Sequence, residues 1–245
     1  MKLAGQTILI TGGSSGIGLA LARQLATHNT VIIAGRDERR LEAASASIAG
    51  LRTIVSDIAQ ASERIRLCEA LLRDYPKLNV LINNAGIQHH LRFDADHASR
   101  SAAILEEEMN VNMLAPVHLC SLLIPHLLEQ PAAAIMNVTT GLVIVPKVES
   151  PLYSASKCAL STFTSTLRTQ LRNSSIFVTE AMPPLVDTPM THGRGSGKIT
   201  ADACAAEMIR GLERGKAVIR VDKVKLLHLI NRLSPSVARR IMAMR

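Results

Sequence analysis

Short runs of β-branched and apolar residues alternate with longer amphipathic segments from the start of the chain to about position 221. The runs Thr7–Thr11, Thr30–Ala34, Thr53–Ser56, Val80–Asn83, Ala133–Val138, Ile176–Glu180 and Ala217–Val221 are apolar at consecutive positions. A strand points successive side chains to opposite faces, so a continuous apolar run predicts a strand covered on both sides, as in parallel sheets. Segments 18–27, 38–48, 61–73, 106–128 and 154–171 space apolar residues three and four apart, which predicts helices with one buried face. Repeated strand–helix–strand units imply right-handed crossovers. The expected fold is α/β: one doubly wound parallel sheet of about seven strands, with helices on both faces. A single domain is expected over 1–245, with 191–245 serving as a substrate lid and a basic C-terminal helical extension. Thr191–Lys198 (THGRGSGK) is the one stretch that looks flexible.

Composition narrows the function classes. With 245 residues the chain is long enough to bury a full core without a metal or disulfide staple. Two Tyr, three Phe and no Trp leave too few aromatic faces for a stacking platform, so nucleic acid is not an expected partner. Cys68, Cys120, Cys158 and Cys204 form no C-x-x-C pair, which argues against a zinc ribbon or redox motif and fits a reducing, cytoplasmic setting. No metal site and no membrane-spanning segment of about 18 uncharged residues are expected. The net charge of +8 lies wholly in residues 192–245, where 12 Lys/Arg face 4 Asp/Glu; residues 1–191 hold 16 of each. That excess is either a solvated basic face or a surface for an anionic partner.

The first strand ends in Thr11-Gly12-Gly13-Ser14-Ser15-Gly16-Ile17-Gly18, and a helix follows. Glycines at a strand-to-helix turn allow backbone angles and close approaches that a Cβ would block, and free N–H groups at the helix start favour a pyrophosphate. This is the signature of a Rossmann-type dinucleotide site, here spaced G-x-x-x-G-x-G. The second strand ends at Gly35-Arg36, where an acidic residue would suit a ribose hydroxyl and an arginine suits a 2′-phosphate. Arg36, with Arg39 or Arg40 nearby, therefore favours NADP(H) over NAD(H), although Asp37 is adjacent.

Tyr153 and Lys157 stand four apart at the start of an expected helix and so share a face. A phenol titrates near pH 10, and a fixed ammonium beside it is expected to lower that value and ready Tyr153 as a general acid/base. Thr140 follows the fifth strand, at the carboxyl edge of the sheet where ligands of open α/β folds bind. The glycine turn, Asn83-Asn84-Ala85-Gly86 and Met182–Met190 reach the same edge.

These motifs together resemble the short-chain dehydrogenase/reductase family: T-G-x-x-x-G-I-G at Thr11–Gly18, N-N-A-G at Asn83–Gly86, the helix asparagine Asn112, and Y-x-x-x-K at Tyr153 and Lys157. The similarity covers residues 3 to about 190, and toward the DltE-type oxidoreductases it runs to the C-terminus. The resemblance implies Tyr153 as general acid/base, Lys157 holding the nicotinamide ribose, Asn112 anchoring a proton-relay water, and Thr140 in place of the usual serine. It implies cofactor contacts from Gly12, Ser14, Ser15, Gly16, Ile17, Gly18, Arg36, Asp57, Ile58, Asn83, Ala85, Gly86, Tyr153, Lys157, Pro183, Val186 and Thr188. Thr140 adds a methyl and a stiffer χ1, and Pro183-Pro184 replaces the usual Pro-Gly, removing one N–H.

The expected function is an NADP(H)-dependent oxidoreductase moving a hydride between nicotinamide and a small carbonyl or secondary alcohol. The alternative is a cofactor-binding sensor or membrane-associated module of the same fold. A homo-dimer or homo-tetramer is expected through the long helices. His89 and His90 are expected as a solvent-exposed loop pair, and Glu106–Glu108 as a helix start placed to suit the dipole. Met182 and Met190 are either pocket walls or ordinary packing. Val224–Leu233, apolar on one side and flanked by Lys223, Lys225, Arg232, Arg239 and Arg240, is expected either to touch an anionic membrane weakly or to complete the substrate lobe or a subunit contact.

Overall fold

Every apolar run expected to be a strand is one, and all of them lie in one parallel sheet. The structure is a computed structural model that describes residues 2–91, 93 and 102–243. Its elements in chain order are β1 (Thr7–Thr11), α1 (Gly16–Ala26), β2 (Thr30–Gly35), α2 (Glu38–Ser47), β3 (Arg52–Val55), α3 (Ala61–Asp74) and β4 (Leu78–Asn83). Then come α4 (Ala102–Met109), a π-helical turn (Asn110–Leu114), α5 (Ala115–Leu128), β5 (Ala133–Val138), α6 (Pro151–Gln170) and β6 (Ile176–Met182). The two-residue strands β7 (Val186–Asp187) and β8 (Ile199–Thr200) form a separate small pair, followed by α7 (Ala201–Glu213), β9 (Val218–Arg220), α8 (Lys223–Leu233) and α9 (Pro235–Ala243).

The sheet order is β3-β2-β1-β4-β5-β6-β9. Side-chain alternation explains why the strands read as unbroken apolar runs. Ile8, Ile10, Val31, Ile33, Val80 and Ile82 face the layer of α1, α2 and α7. Leu9, Ile32, Leu81 and Ile135 face that of α3, α5 and α6. Chain direction along the sheet reverses between β1 and β4, which opens a crevice beyond their carboxyl ends.

Four expectations are corrected. β3 is not covered on both faces: it is an edge strand whose Arg52, Thr53 and Val55 are exposed. The expected helix 106–128 is a composite, starting at Ala102 and interrupted by the π-helical turn that holds Asn112. Ala102–Leu128 is also long and apolar enough to cross a membrane, contrary to the expected absence of such a stretch. Its Leu119, Cys120, Leu123 and Leu127 are fully buried on the sheet, so here it serves as a core helix. Finally, 191–245 is not all lid and extension. α7, unexpected from the pattern, buries Cys204, Ala205, Met208 and Leu212 against α1 in the main core, and β9 closes the sheet.

Candidate active site

The glycine turn after β1 is shaped by contacts that only glycine permits. Gly12 and Gly16 hold φ of 64° and 53°, and a methyl group on Gly18 would stand 2.2 Å from the Gly12 carbonyl oxygen. Asn84 and Ala85 fasten this turn to the end of β4: both backbone N–H groups donate to Thr11 Oγ1 at 3.1 Å, and Asn84 Nδ2 donates to the carbonyls of Thr11 and Gly12. Ser15 caps α1 without a side-chain bond, and no acidic residue lies in the first turn. The unpaired N–H groups and the positive end of the helix dipole therefore face the crevice without a competing carboxylate. These residues fit the diphosphate of a dinucleotide.

A cleft of about 380 Å³ runs from this turn to α6. Of the residues expected to meet a cofactor, it is lined by Gly12, Ser14, Ser15, Gly16, Ile17, Arg36, Asp57, Ile58, Ala85, Gly86, Tyr153, Lys157, Pro183 and Thr188. Gly18, Asn83 and Val186 are not among its lining. Gly18 is packed behind the turn, Val186 is buried, and Asn83, 1% exposed, uses its amide inside the fold. Asn83 Nδ2 donates to Asn137 Oδ1 at 2.8 Å, and Asn137 Nδ2 donates to Thr164 Oγ1 at 2.8 Å. That chain of bonds ties β4 and β5 to α6 and so fixes the helix that carries Tyr153 and Lys157. Ile87 and Val111 line the cleft without having been singled out from the sequence; Asn84 of the N-N-A-G motif lines it too, as does Met190, one of the two methionines expected as pocket wall or packing, whereas Met182 is buried.

At the adenosine end, Arg36 Nη1 pairs with Glu107 Oε1 at 3.1 Å. Arg40 pairs with Asp37, whose carboxylate also accepts from the Arg40 N–H as the cap of α2. The acid next to Arg36 is thus already engaged. Asp57 likewise turns its carboxylate onto the Ala59 N–H.

At the other end, α6 starts at Pro151 and presents Tyr153 in its first turn. The Thr140 hydroxyl is close enough to the Tyr153 phenol to draw its pKa down. Thr140, only 8% exposed, also accepts from the Leu142 N–H at 3.3 Å. Lys157, 2% exposed, donates from Nζ to the Val138 carbonyl at 3.0 Å. Asn112 sits fully buried in the π-helical turn, where its amide pairs both ways with the Ile87 backbone at 2.9 Å and donates to Ser156 Oγ at 3.1 Å. A Cβ placed on Gly86 would lie 3.2 Å from Asn112 Oδ1 and 3.3 Å from Lys157 Nζ, so the backbone of Gly86 passes beside both groups.

The expectation that Lys157 lowers the phenol's pKa is corrected. Burial pushes Tyr153 up to about 12, against the pull of the Thr140 hydroxyl and with a further push from the negative charge of Glu108. Burial likewise brings Lys157 down to about 8, with Glu108 opposing. The physical reason is burial: desolvation is the largest cause of the shift in both groups and penalises the charged form of each.

Glu108 is the largest departure from the sequence reading. It is no exposed helix start but a completely buried carboxylate near the end of α4. Its Oε2 accepts from the His89 N–H at 3.1 Å and lies 2.9 Å from His89 Nδ1, so His89 is not free in solvent, while His90 is exposed. Glu108 Oε1 has no hydrogen-bond partner among the described residues. The available signal was spacing: Glu108 stands four residues before Asn112, on the same face.

The loop 191–198 follows the cleft residues Thr188–Met190 and is held by hydrogen bonds to itself and to its neighbours. Arg194 donates to Gln88, which donates to Ser150 beneath Tyr153; Lys198 donates to the Thr191 carbonyl; Lys223 donates to the Gly197 carbonyl.

The family model for the short chain dehydrogenases matches residues 6–198. "Uncharacterized oxidoreductase DltE" of Bacillus subtilis is 42% identical over 232 residues, spanning 92% of this chain and 91% of that protein. A short-chain dehydrogenase from Burkholderia cenocepacia, solved in complex with NADP, superposes with a TM-score of 0.87 at 21% identity over 99% of both chains. One from Burkholderia phymatum, in complex with NAD, gives 0.83 at 23% identity over 95% of this chain and 96% of the other.

Proposed function

The chain belongs to the short-chain dehydrogenase family of oxidoreductases, and from that premise we propose that it is an NADP(H)-dependent reductase or dehydrogenase acting on a carbonyl or secondary alcohol. The observation that carries this reading is a cleft that Tyr153 and Lys157 line at one end and the acid-free N-terminus of α1 lines at the other. A bound nicotinamide would supply the hydride or accept it. Tyr153, protonated at neutral pH by its raised pKa, gives its proton to the developing alkoxide in the reductive direction, and Thr140 donates a hydrogen bond to the same oxygen. Lys157 supplies positive charge beneath the reacting centre. Asn112, held rigidly by Ile87 and Ser156, is placed to anchor the relay that restores the phenolic proton.

The α1 turn holds the diphosphate, and Arg36 favours the phosphorylated cofactor. Asp37, which would repel a 2′-phosphate, is occupied by Arg40 and by the α2 cap, while Arg36 is bound among the described residues by the half-buried Glu107 and can exchange that carboxylate for a phosphate. The test is a panel of ketones and aldehydes with NADPH and NADH, run on wild type and Tyr153→Phe. The expected outcome is turnover with NADPH that falls at least ~100-fold in the variant. Undiminished turnover by Tyr153→Phe would overturn the chemistry. Equal binding of the two cofactors would overturn the preference.

A further inference from the structure

The C-terminal residues 223–245 contain six Lys/Arg and no Asp/Glu. Residues 223–233 form α8 and 235–243 form α9, which pack on each other and leave an apolar stripe uncovered: Leu226 is 59%, Leu229 53%, Leu233 79% and Val237 47% exposed. At about 100° per residue, the three leucines fall on the side of α8 opposite Val224, which is buried and reaches Gly141 in the loop after Thr140. Lys225 and Arg232 border the stripe. Soluble surfaces seldom expose several large apolar side chains in a row without a partner.

A second observation lies at the amino end of α8. Arg210, Arg214, Lys216, Arg220 and Lys225 line a pocket of about 240 Å³ against a single acid, Glu207. Glu207 is already engaged by Lys225 and the Asp222 N–H. Arg220 Nε is buried in this region with no hydrogen-bond partner among the described residues. An excess of cations over carboxylates beside an unused donor is the arrangement that receives an anionic oxygen. Lys225 belongs both to this pocket and to the border of the stripe.

We propose that α8 and α9 dock on an anionic phospholipid bilayer, with the leucine stripe in the interfacial layer and the adjoining cationic pocket on lipid phosphates. A second copy of the chain suits the surface poorly. A two-fold contact would set this face on itself, bringing Lys225, Arg232 and their neighbours against identical cations with no acid in either segment to pair them. A bilayer supplies both the apolar layer and the negative charge. The Val224–Gly141 contact and the Lys223–Gly197 hydrogen bond attach α8 to both loops around the candidate active site, so docking would bring that end of the cleft to the lipid surface.

The test is co-sedimentation of the full chain with phosphatidylglycerol–phosphatidylcholine vesicles and with phosphatidylcholine alone, at low and high salt. The wild type is expected to pellet with the anionic vesicles at low salt and not with the neutral ones. Leu229→Gln combined with Leu233→Gln leaves the charge unchanged and alters only exposed positions, and is expected to weaken binding at least ~10-fold. Lys225→Gln with Arg232→Gln is expected to do the same and keeps the test valid if the first variant folds poorly. Absence of pelleting would overturn the proposal. So would pelleting that the leucine changes leave intact, which would mark simple adsorption of a basic protein, or light scattering showing a dimer that those changes dissociate.

Discussion

Lys157→Met removes the buried ammonium and keeps most of its aliphatic stem. In the folded chain the Lys157 pKa falls from its ordinary 10.5 to about 8, which at about 1.36 kcal/mol per pH unit means the folded protein gives up about 3 kcal/mol at pH 7 to keep this group charged. The charge-assisted bond to the Val138 carbonyl returns about 1.5–3 kcal/mol. The variant should therefore be as stable as wild type at pH 7, or more stable by up to about 2 kcal/mol, a rise in Tm of about 4–8 °C for a chain of this size. The sign with pH follows from the direction of the shift. The folded pKa lies below the unfolded one, so between about 8 and 10.5 the unfolded chain binds more protons and wild-type stability rises with pH. Wild type should gain about 2 kcal/mol on the variant between pH 7 and about 9.5. Melting curves at the two pH values, together with NADPH turnover, make the assay: the variant should be inactive and its advantage should vanish in base. A variant less stable than wild type by the same amount at both pH values would refute the claim that Lys157 is a charge held at a cost.

Two further outcomes follow from the same geometry. Gly18→Ala forces a methyl to 2.2 Å from the Gly12 carbonyl and 2.5 Å from Asn84 Nδ2, so it should lower stability by about 2 kcal/mol or more and weaken dinucleotide binding, checked by melting and by NADPH fluorescence titration. Glu108→Gln removes the negative charge that raises the Lys157 pKa, so if reduction requires the ammonium, the basic limb of its pH–rate profile should begin below the wild-type limb near 8; a limb that stays in place would remove Glu108 from the electrostatics of the site.

The sheet was legible because each strand buries both faces, a condition that leaves an unbroken apolar run, as at Thr7–Thr11 and Ala133–Val138. The exception, β3, shows why this works: at the edge its Arg52 and Thr53 meet solvent and the apolar signal shortens. α7 carries helical spacing too, burying Cys204, Ala205, Met208 and Leu212 three and four apart, but it follows the Gly- and base-rich stretch 191–198, which reads as a lid. In the site, Tyr153, Lys157 and the glycine turn could be read from spacing, whereas Asn112 was implied only by the resemblance to the family. Asn83 could not be separated from Asn84 by spacing, because alternation sends one amide into the sheet and the other to the glycine turn. Glu108 was hidden in a run of three identical acids, and only the contact with His89 distinguishes the buried one.

Buried polar groups without partners among the described residues are not scattered. Asn83 Oδ1, Glu108 Oε1 and Ser154 Oγ belong to β4, α4 and α6, the elements that build the cleft; Arg220 Nε lies at the basic pocket, and Asp222 Oδ2 lies just after β9, on the residue that precedes α8. Asp222 is also the one described non-glycine residue with a left-handed backbone, at φ 47°, immediately before α8. A core otherwise satisfied concentrates its unspent hydrogen bonds and its strain where function needs them. At the cleft this gives a buried cation and a buried anion, Lys157 and Glu108, that act on one another without pairing directly, so each retains capacity for a further partner. Ahead of α8 the same logic leaves the Arg220 Nε without an acceptor among the described residues, while the leucines of α8 stay uncovered. Both sites are incomplete in the same physical sense, which is why one is argued to receive a dinucleotide and the other a lipid surface.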